Sequence, residues 1–228
     1  MPHFANVIFD LDGLMINTEP LHRRAFNAVL EVCNVDYQFS EQEYGELFTG
    51  ISIVENAEYI RERFALPQTA ESLAEGQRAL FALLIGDAEN LEPMSGLHEL
   101  IRYLKEHDFR IAVASSSHDE HVQLALRGLN LFHEFDAVVG SDGIMKHKPA
   151  PDVYLRALSL LGATPSETIA LEDSSSGVRA AKAAGVFVIA VPNEYTRGQD
   201  LTHSDLLVND LYQVREFLHT NEMMNFQR

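Results

Sequence analysis

A chain of 228 residues, 46% of them hydrophobic, can bury one large domain or one domain with a small insert. A formal charge of −17 argues against nucleic acid and anionic membrane surfaces as partners, since both require basic patches. A single cysteine, Cys33, excludes an internal disulfide and fits a reducing compartment. No apolar run approaches membrane-spanning length, and acids interrupt the first apolar stretch early. A cytoplasmic protein without a signal peptide is the expectation.

In chain order, the apolar run Phe4 to Phe9 reads as a buried parallel strand that stops at Asp10-Leu11-Asp12-Gly13. Alternation along a strand sends Asp10 and Asp12 to the same side, and Gly13 permits a sharp turn. Two acids in an apolar setting repel each other unless a cation or proton lies between them, and Mg²⁺ meets that requirement. An ordinary Asp-Gly turn is the bland alternative. Thr18 is expected to cap a helix running from Leu21 to Cys33, with Pro20 in its first turn. Ser40 with Glu43, and Ser52 with Glu55, have capping-box spacing and predict two further helices, to Phe48 and to about Phe64. Thr69 opens a long amphipathic helix to about Asp87. No strand signal interrupts this region.

From Pro93 the pattern alternates. A helix, Leu97 to His107, precedes a strand, Arg110 to Ala114, that ends in Ser115-Ser116-Ser117. A helix from Asp119 to Arg127 leads to a strand, Phe135 to Val139, and then to a loop containing Lys148. A helix from Asp152 to Leu161 precedes a strand, Thr168 to Leu171, that ends in Glu172-Asp173. A helix from Ser174 to Ala184, strands at Val186 to Val191 and Leu206 to Val208, and a helix from Leu211 to Leu218 complete the chain. Such alternation implies right-handed crossovers and a parallel, doubly wound α/β sheet. The expected division is a core of residues 1–15 and 91–228, with an all-helical insert at 16–90.

Four apolar strands therefore end in polar residues, and carboxyl ends of strands line one crevice. Acids, a hydroxyl and a lysine suit phosphoryl transfer, which needs an in-line attacker, oxygen donors and charge neutralisation. Asp10 would attack phosphorus, Asp12 would act as acid and then base, and Ser115 and Lys148 would hold the transferring oxygens. Asp10, Asp173 and the Asp12 carbonyl would hold Mg²⁺, with Glu172 touching the metal directly or through water.

These residues resemble the haloacid dehalogenase superfamily. Its four motifs correspond to Asp10-Leu11-Asp12-Gly13, Ser115, Lys148 within Lys-Pro-Ala-Pro-Asp, and Glu172-Asp173. The resemblance covers nearly the whole chain. It implies a Rossmann-like core with a helical cap after the first strand, Mg²⁺ as cofactor, and a small phosphorylated metabolite as substrate. It extends to the β-phosphoglucomutase and sugar-phosphate phosphatase branch, which implies roles in phosphate or substrate binding for Gly13, Ser116, Ser117, Thr18, His22, Gly50 and Ser52. A monomer or small homo-oligomer is expected.

Two positions depart from that branch. Asn17 stands where Asp is common. Ile53 follows Gly50-Ile51-Ser52, where the mutase carries an arginine for the substrate's distal phosphate. Losing such a charge-assisted contact costs about 1.5–3 kcal/mol. This favours hydrolysis over mutase activity, with a non-catalytic phosphate-binding protein as a third reading. Several residues keep bland alternatives: Ser116, Ser117 and His118 read equally as phosphate donors or helix caps, and His22 as an exposed helix residue. Asp142 reads as a turn residue, and Asp152 as a cap or a partner of Lys148.

Overall fold

The computed structural model describes residues 4–49 and 51–226. The strands are β1 (Asn6–Phe9), β2 (Arg110–Ala114), β3 (Ala137–Val139), β4 (Thr168–Glu172), β5 (Phe187–Ala190) and β6 (Leu206–Leu207). They form one parallel sheet in the order β3-β2-β1-β4-β5-β6. β1 is central in the sheet and buried throughout. Phe9 aligns with Val113 on one side and Leu171 on the other. The residue that follows β1 is thus level with the last residues of β2 and β4, and Ser115 emerges one position beyond. The chain winds outward in both directions from β1 and β4, and a ligand crevice forms where strand order reverses. This is the doubly wound α/β fold expected from the alternation.

The chain divides into two compact units: the first ends at Asn17 and resumes at Glu92, and the second is Thr18–Leu91. The first holds the sheet with α5 (Leu97–Glu106), α6 (Asp119–Gly128), α7 (Asp152–Leu161), α8 (Ser175–Ala183) and α9 (Leu211–Phe226). Apolar side chains of α7, α8 and the strands, Tyr154 and Val178 among them, bury together on one face of the sheet. The backbone helix α9 continues beyond the expected end at Leu218, because its last turns carry no apolar stripe to announce them.

The second unit is helical: α1 (Glu19–Val32), α2 (Glu41–Phe48), α3 (Ile53–Arg63) and α4 (Ala70–Ile85). Phe26, Phe39, Phe48, Ile60 and Leu73 form its core. Asn27 ties the α1 face to the preceding loop of α2, accepting from the Phe39 N–H at 2.8 Å and donating to the Phe39 carbonyl at 3.2 Å. Thr18 occupies the N-cap position of α1 but makes no side-chain cap bond. The reason is local: Pro20 has no N–H to offer, and Thr18 has helical rather than extended backbone angles. The Ser40 box is half formed. Ser40 accepts from the Glu43 N–H, but the Glu43 carboxylate turns to Tyr37 and Arg63. The Ser52–Glu55 box is reciprocal, with the Glu55 N–H on Ser52 Oγ at 3.2 Å and the Ser52 N–H on Glu55 Oε2 at 3.3 Å. Among the described residues no helix is long and apolar enough to cross a membrane.

The reciprocal box gives Ser52 a measurable structural duty. Ser52→Ala is expected to lower stability by about 0.5–2 kcal/mol, read as a shift in urea midpoint. An unchanged midpoint would free Ser52 from that duty.

Candidate active site

The turn after β1 is drawn tight by local bonds. The Gly13 N–H donates to the Ile16 carbonyl at 2.8 Å, and the Met15 N–H to the Leu11 carbonyl at 2.9 Å. Gly13 has φ +84°, and a Cβ there would collide with the Asp173 carboxylate. Glycine is thus required twice over, by the left-handed angle and by the close approach.

Asp10 is 6% exposed, and its Oδ1 accepts from Lys148 Nζ at 2.5 Å. The same ammonium donates to Glu172 Oε1 at 2.6 Å. Glu172 is fully buried and its oxygens are well occupied. Oε1 also accepts from the Tyr154 hydroxyl at 2.6 Å, and Oε2 accepts from the Ser174 hydroxyl at 3.3 Å. Helix α8 begins against this carboxylate, and Gly177 is the residue whose missing Cβ makes room for it. Carboxylate oxygens of Asp10, Glu172 and Asp173 all lie within 4.8 Å of one another.

Asp12 faces differently. Its Oδ2 accepts from the hydroxyls of Ser115 at 3.1 Å and Ser117 at 2.8 Å. Its Oδ1 is buried with no partner among the described residues. Its carboxylate is therefore not one of the three in the cluster, which leaves only its carbonyl to play the metal-holding part expected of it. Ser115 directly follows β2, and its Oγ also accepts from the Ser117 N–H at 2.9 Å. Ser116 is exposed. The cap of α6 comes from neither serine: Asp142 accepts from the Asp119 N–H at 3.2 Å and pairs with His118 at 2.8 Å.

Charge in the cluster is unbalanced. Burial, with Glu172 and Asp12 nearby, outweighs Lys148 and pushes the Asp10 carboxyl up from 3.8 to about 8. Burial and the Asp10 and Glu172 charges likewise push Asp173 well above the carboxylate range. Burial alone would lower Lys148, but Asp10 and Glu172 override it and hold the ammonium above its usual value. Three buried carboxylates against one ammonium, with oxygen donors only, fit a hard divalent cation and not zinc.

The core unit therefore assembles Asp10, Asp12, Gly13, Ser115, Ser117, Lys148, Glu172 and Asp173. Thr18, His22 and Ser52 belong to the helical unit, and Gly50 lies outside the described residues. His22 stacks on Phe81 with ring centroids 4.0 Å apart, and its Nδ1 lies 3.0 Å from Gln77 Nε2. Tyr154 and Asn193 have no expected role from sequence, yet both bond to cluster carboxylates. Asn193 Nδ2 donates to Asp173 Oδ2 at 2.9 Å. A cavity of about 440 Å³, lined by Asn17, Glu92, Asn193 and Arg197 among others, lies apart from the acids and shares only Asn193 with them.

The family model of haloacid dehalogenase-like hydrolases matches residues 7–191. The chain belongs to that family. It is 32% identical to the protein CbbY of Rhodobacter capsulatus, over 90% of this chain and 92% of that one. It is 30% identical to the β-phosphoglucomutase of Bacillus subtilis, over 93% of each. Its fold superposes on a crystal structure of CbbY from Rhodobacter sphaeroides in complex with xylulose-1,5-bisphosphate. The TM-score is 0.78, with 30% identity, over 91% of this chain and 94% of that one. The family generally uses a divalent metal, in keeping with the acidic cluster.

Two outcomes are expected. Gly13→Ala should cost roughly 1–3 kcal/mol of stability and displace Asp173, read as a lower urea midpoint together with loss of activity. The second concerns pH. In the unfolded chain Asp10 ionises near 3.8, and in the folded one near 8. Between these values the folded state holds a proton that the unfolded state has released, so metal-free stability should fall as pH rises from about 4 to about 8. Urea midpoints in chelator at pH 5 and pH 8 check this, and Asp10→Asn should flatten the slope. Midpoints equal at both pH values would contradict it.

Proposed function

We propose that this phosphohydrolase cleaves a small phosphorylated sugar through an aspartyl-phosphate on Asp10, with Mg²⁺ as cofactor. The observation that carries the reading is the split between the two acids of the first turn. Asp10 sits in the charged cluster beside Lys148, while Asp12 is held by two serines, its other oxygen without a partner among the described residues. A nucleophile and a proton carrier need these different settings.

In the first step an Asp10 oxygen bonds to phosphorus as the ester oxygen leaves, and Asp12 gives that oxygen a proton. In the second, water attacks the phosphorus and passes a proton to Asp12, and the bond to Asp10 breaks to release phosphate. Lys148 offsets the charge on Asp10 and on the phosphoryl oxygens. Ser115 and Ser117 fix the Asp12 carboxylate and offer hydroxyls beside it. Mg²⁺ would be held by Asp10, Asp173 and the Asp12 carbonyl, and it supplies electrostatic stabilisation of the transferring phosphoryl group. Glu172, whose oxygens are taken by Lys148, Tyr154 and Ser174, serves as the anchor of Lys148.

The sugar-phosphate class rests on the bisphosphate complex of the CbbY structure and on the likeness to a β-phosphoglucomutase. Hydrolysis rather than isomerisation rests on Ile53, a neutral residue where the mutase pattern has an arginine. The helical unit is the proposed specificity module.

The test is phosphate release from pentose and hexose mono- and bisphosphates with Mg²⁺. Asp10→Asn should abolish turnover, and Asp12→Asn should reduce it by about 10²–10⁴-fold. A parallel reaction with β-glucose 1-phosphate and a trace of its 1,6-bisphosphate follows isomer and free phosphate together. Rapid isomerisation with little free phosphate would establish a mutase instead. Turnover by Asp10→Asn at the unmutated rate would remove the covalent intermediate.

A further inference from the structure

Asn193 follows β5, and every hydrogen-bonding group of its side chain is engaged. Its Oδ1 accepts from the Tyr195 N–H at 2.8 Å and the Thr196 N–H at 3.1 Å. Its own N–H donates to the buried Thr196 hydroxyl at 3.1 Å, and its carbonyl accepts from the Arg197 N–H at 3.0 Å. This is an Asx turn, and it fixes the rotamer of the amide. The amide nitrogen then faces two acceptors: Asp173 Oδ2 at 2.9 Å and the Gly13 carbonyl at 3.0 Å. A flipped amide would set its nitrogen against two N–H donors and its oxygen against two acceptor oxygens, so the partners decide the orientation.

Asn193 thus joins the turn that carries Asp10, Asp12 and Gly13 to Asp173, which is 160 residues further along the chain than Gly13. Asp173 is 3% exposed, and its carboxylate would otherwise be free to rotate about its last bond. A charge-assisted bond from a side chain locked by its own turn removes that freedom. The donor also partly offsets the crowding of negative charge by Asp10 and Glu172 without adding a cation that would repel a metal.

We propose that Asn193 is a positioning residue that sets the divalent-cation affinity of the acidic cluster by orienting Asp173. This inference rests on the reading of Asp173 as a metal-holding carboxylate. Outer partners of metal ligands typically contribute about 10–100-fold in metal affinity. Because Asn193 borders the 440 Å³ cavity, water is expected to hydrate the Asp173 oxygen once the amide is removed, leaving the fold intact and the orientation lost.

The experiment titrates metal-free protein with Mg²⁺ alone by calorimetry, and with Mn²⁺ followed by its free-ion EPR signal. It compares the unmutated chain with Asn193→Ala and Asn193→Ser, the second keeping a hydroxyl for the turn. Urea midpoints in chelator report folding separately. Dissociation constants raised about 10–100-fold, with chelator midpoints close to the unmutated value, are expected. Activity of both variants should recover at high Mg²⁺, which a rearranged site would not allow. Unmutated protein that binds the cation with variants that bind it equally well would overturn this inference alone. Unmutated protein that binds no cation would overturn the cluster reading, and this inference with it. Failure of both variants to fold would also overturn it, since Asn193 would then serve the loop and not the cation.

Discussion

The structure depends on the burial of one ammonium between two carboxylates. Lys148 touches Asp10 and Glu172 at once, and its side chain is only 5% exposed. Removing such charges from water costs several kcal/mol per ion unless geometry and further hydrogen bonds compensate. Here they do so unevenly. Glu172 is satisfied by Lys148, Tyr154 and Ser174, whereas Asp10 and Asp173 remain crowded by like charge. A pair placed for stability alone would not need a third acid beside it. The surplus of negative charge is what makes the cluster a place for a cation, and it holds even in a chain whose overall charge is already −17.

The sheet makes this crowding possible. A carboxylate can be forced into an apolar interior only by a backbone with no alternative path. β1 supplies that path, being buried and hydrogen-bonded on both sides. Register does the rest: Phe9 lies level with Leu171, so Asp10 and Glu172 leave their strands side by side. The Asp10 N–H donates to the Leu171 carbonyl at 3.0 Å, which carries the ladder up to the first acid itself. Gly13 and Gly177 then make the empty volume that the Asp173 and Glu172 carboxylates fill.

The parts legible in sequence carry a local mark, for most of them an apolar run directly before. Asp10, Ser115 and Glu172-Asp173 are announced by the strands that end at them, and Lys148 by the Pro-Ala-Pro-Asp that follows. Tyr154 carries no such mark. In α7 it reads as one more apolar-periodic residue, and only the fold brings its hydroxyl to Glu172. Asn193 is hidden in the same way, because its partners Gly13 and Asp173 are remote in sequence. Local chemistry misled by half at Thr18, which takes the N-cap position but, with helical backbone angles and Pro20 in the first turn, makes no side-chain cap bond. It misled by half at Ser40, where Tyr37 and Arg63 compete successfully for the Glu43 carboxylate. Capping signals state what a helix end can use, and tertiary partners decide what it does use.

The two acids of the first turn differ only in what surrounds them. Asp10 meets an ammonium and two buried carboxylates, and its proton is held to about pH 8 by burial and like charge. Asp12, two residues on, meets two hydroxyls that hold one oxygen and leave the other without a partner among the described residues. In the proposed mechanism that contrast is functional. Asp10, as a carboxylate, would be the attacking group and would help hold the cation, while the serines keep Asp12 aimed without taking its second oxygen. Division of labour between two chemically identical side chains then follows from neighbours that the strand order brings to them. Sequence can place the two aspartates, but their neighbours come from the ends of β2 and β4 and from the loop after β3, all remote from the first turn in the chain.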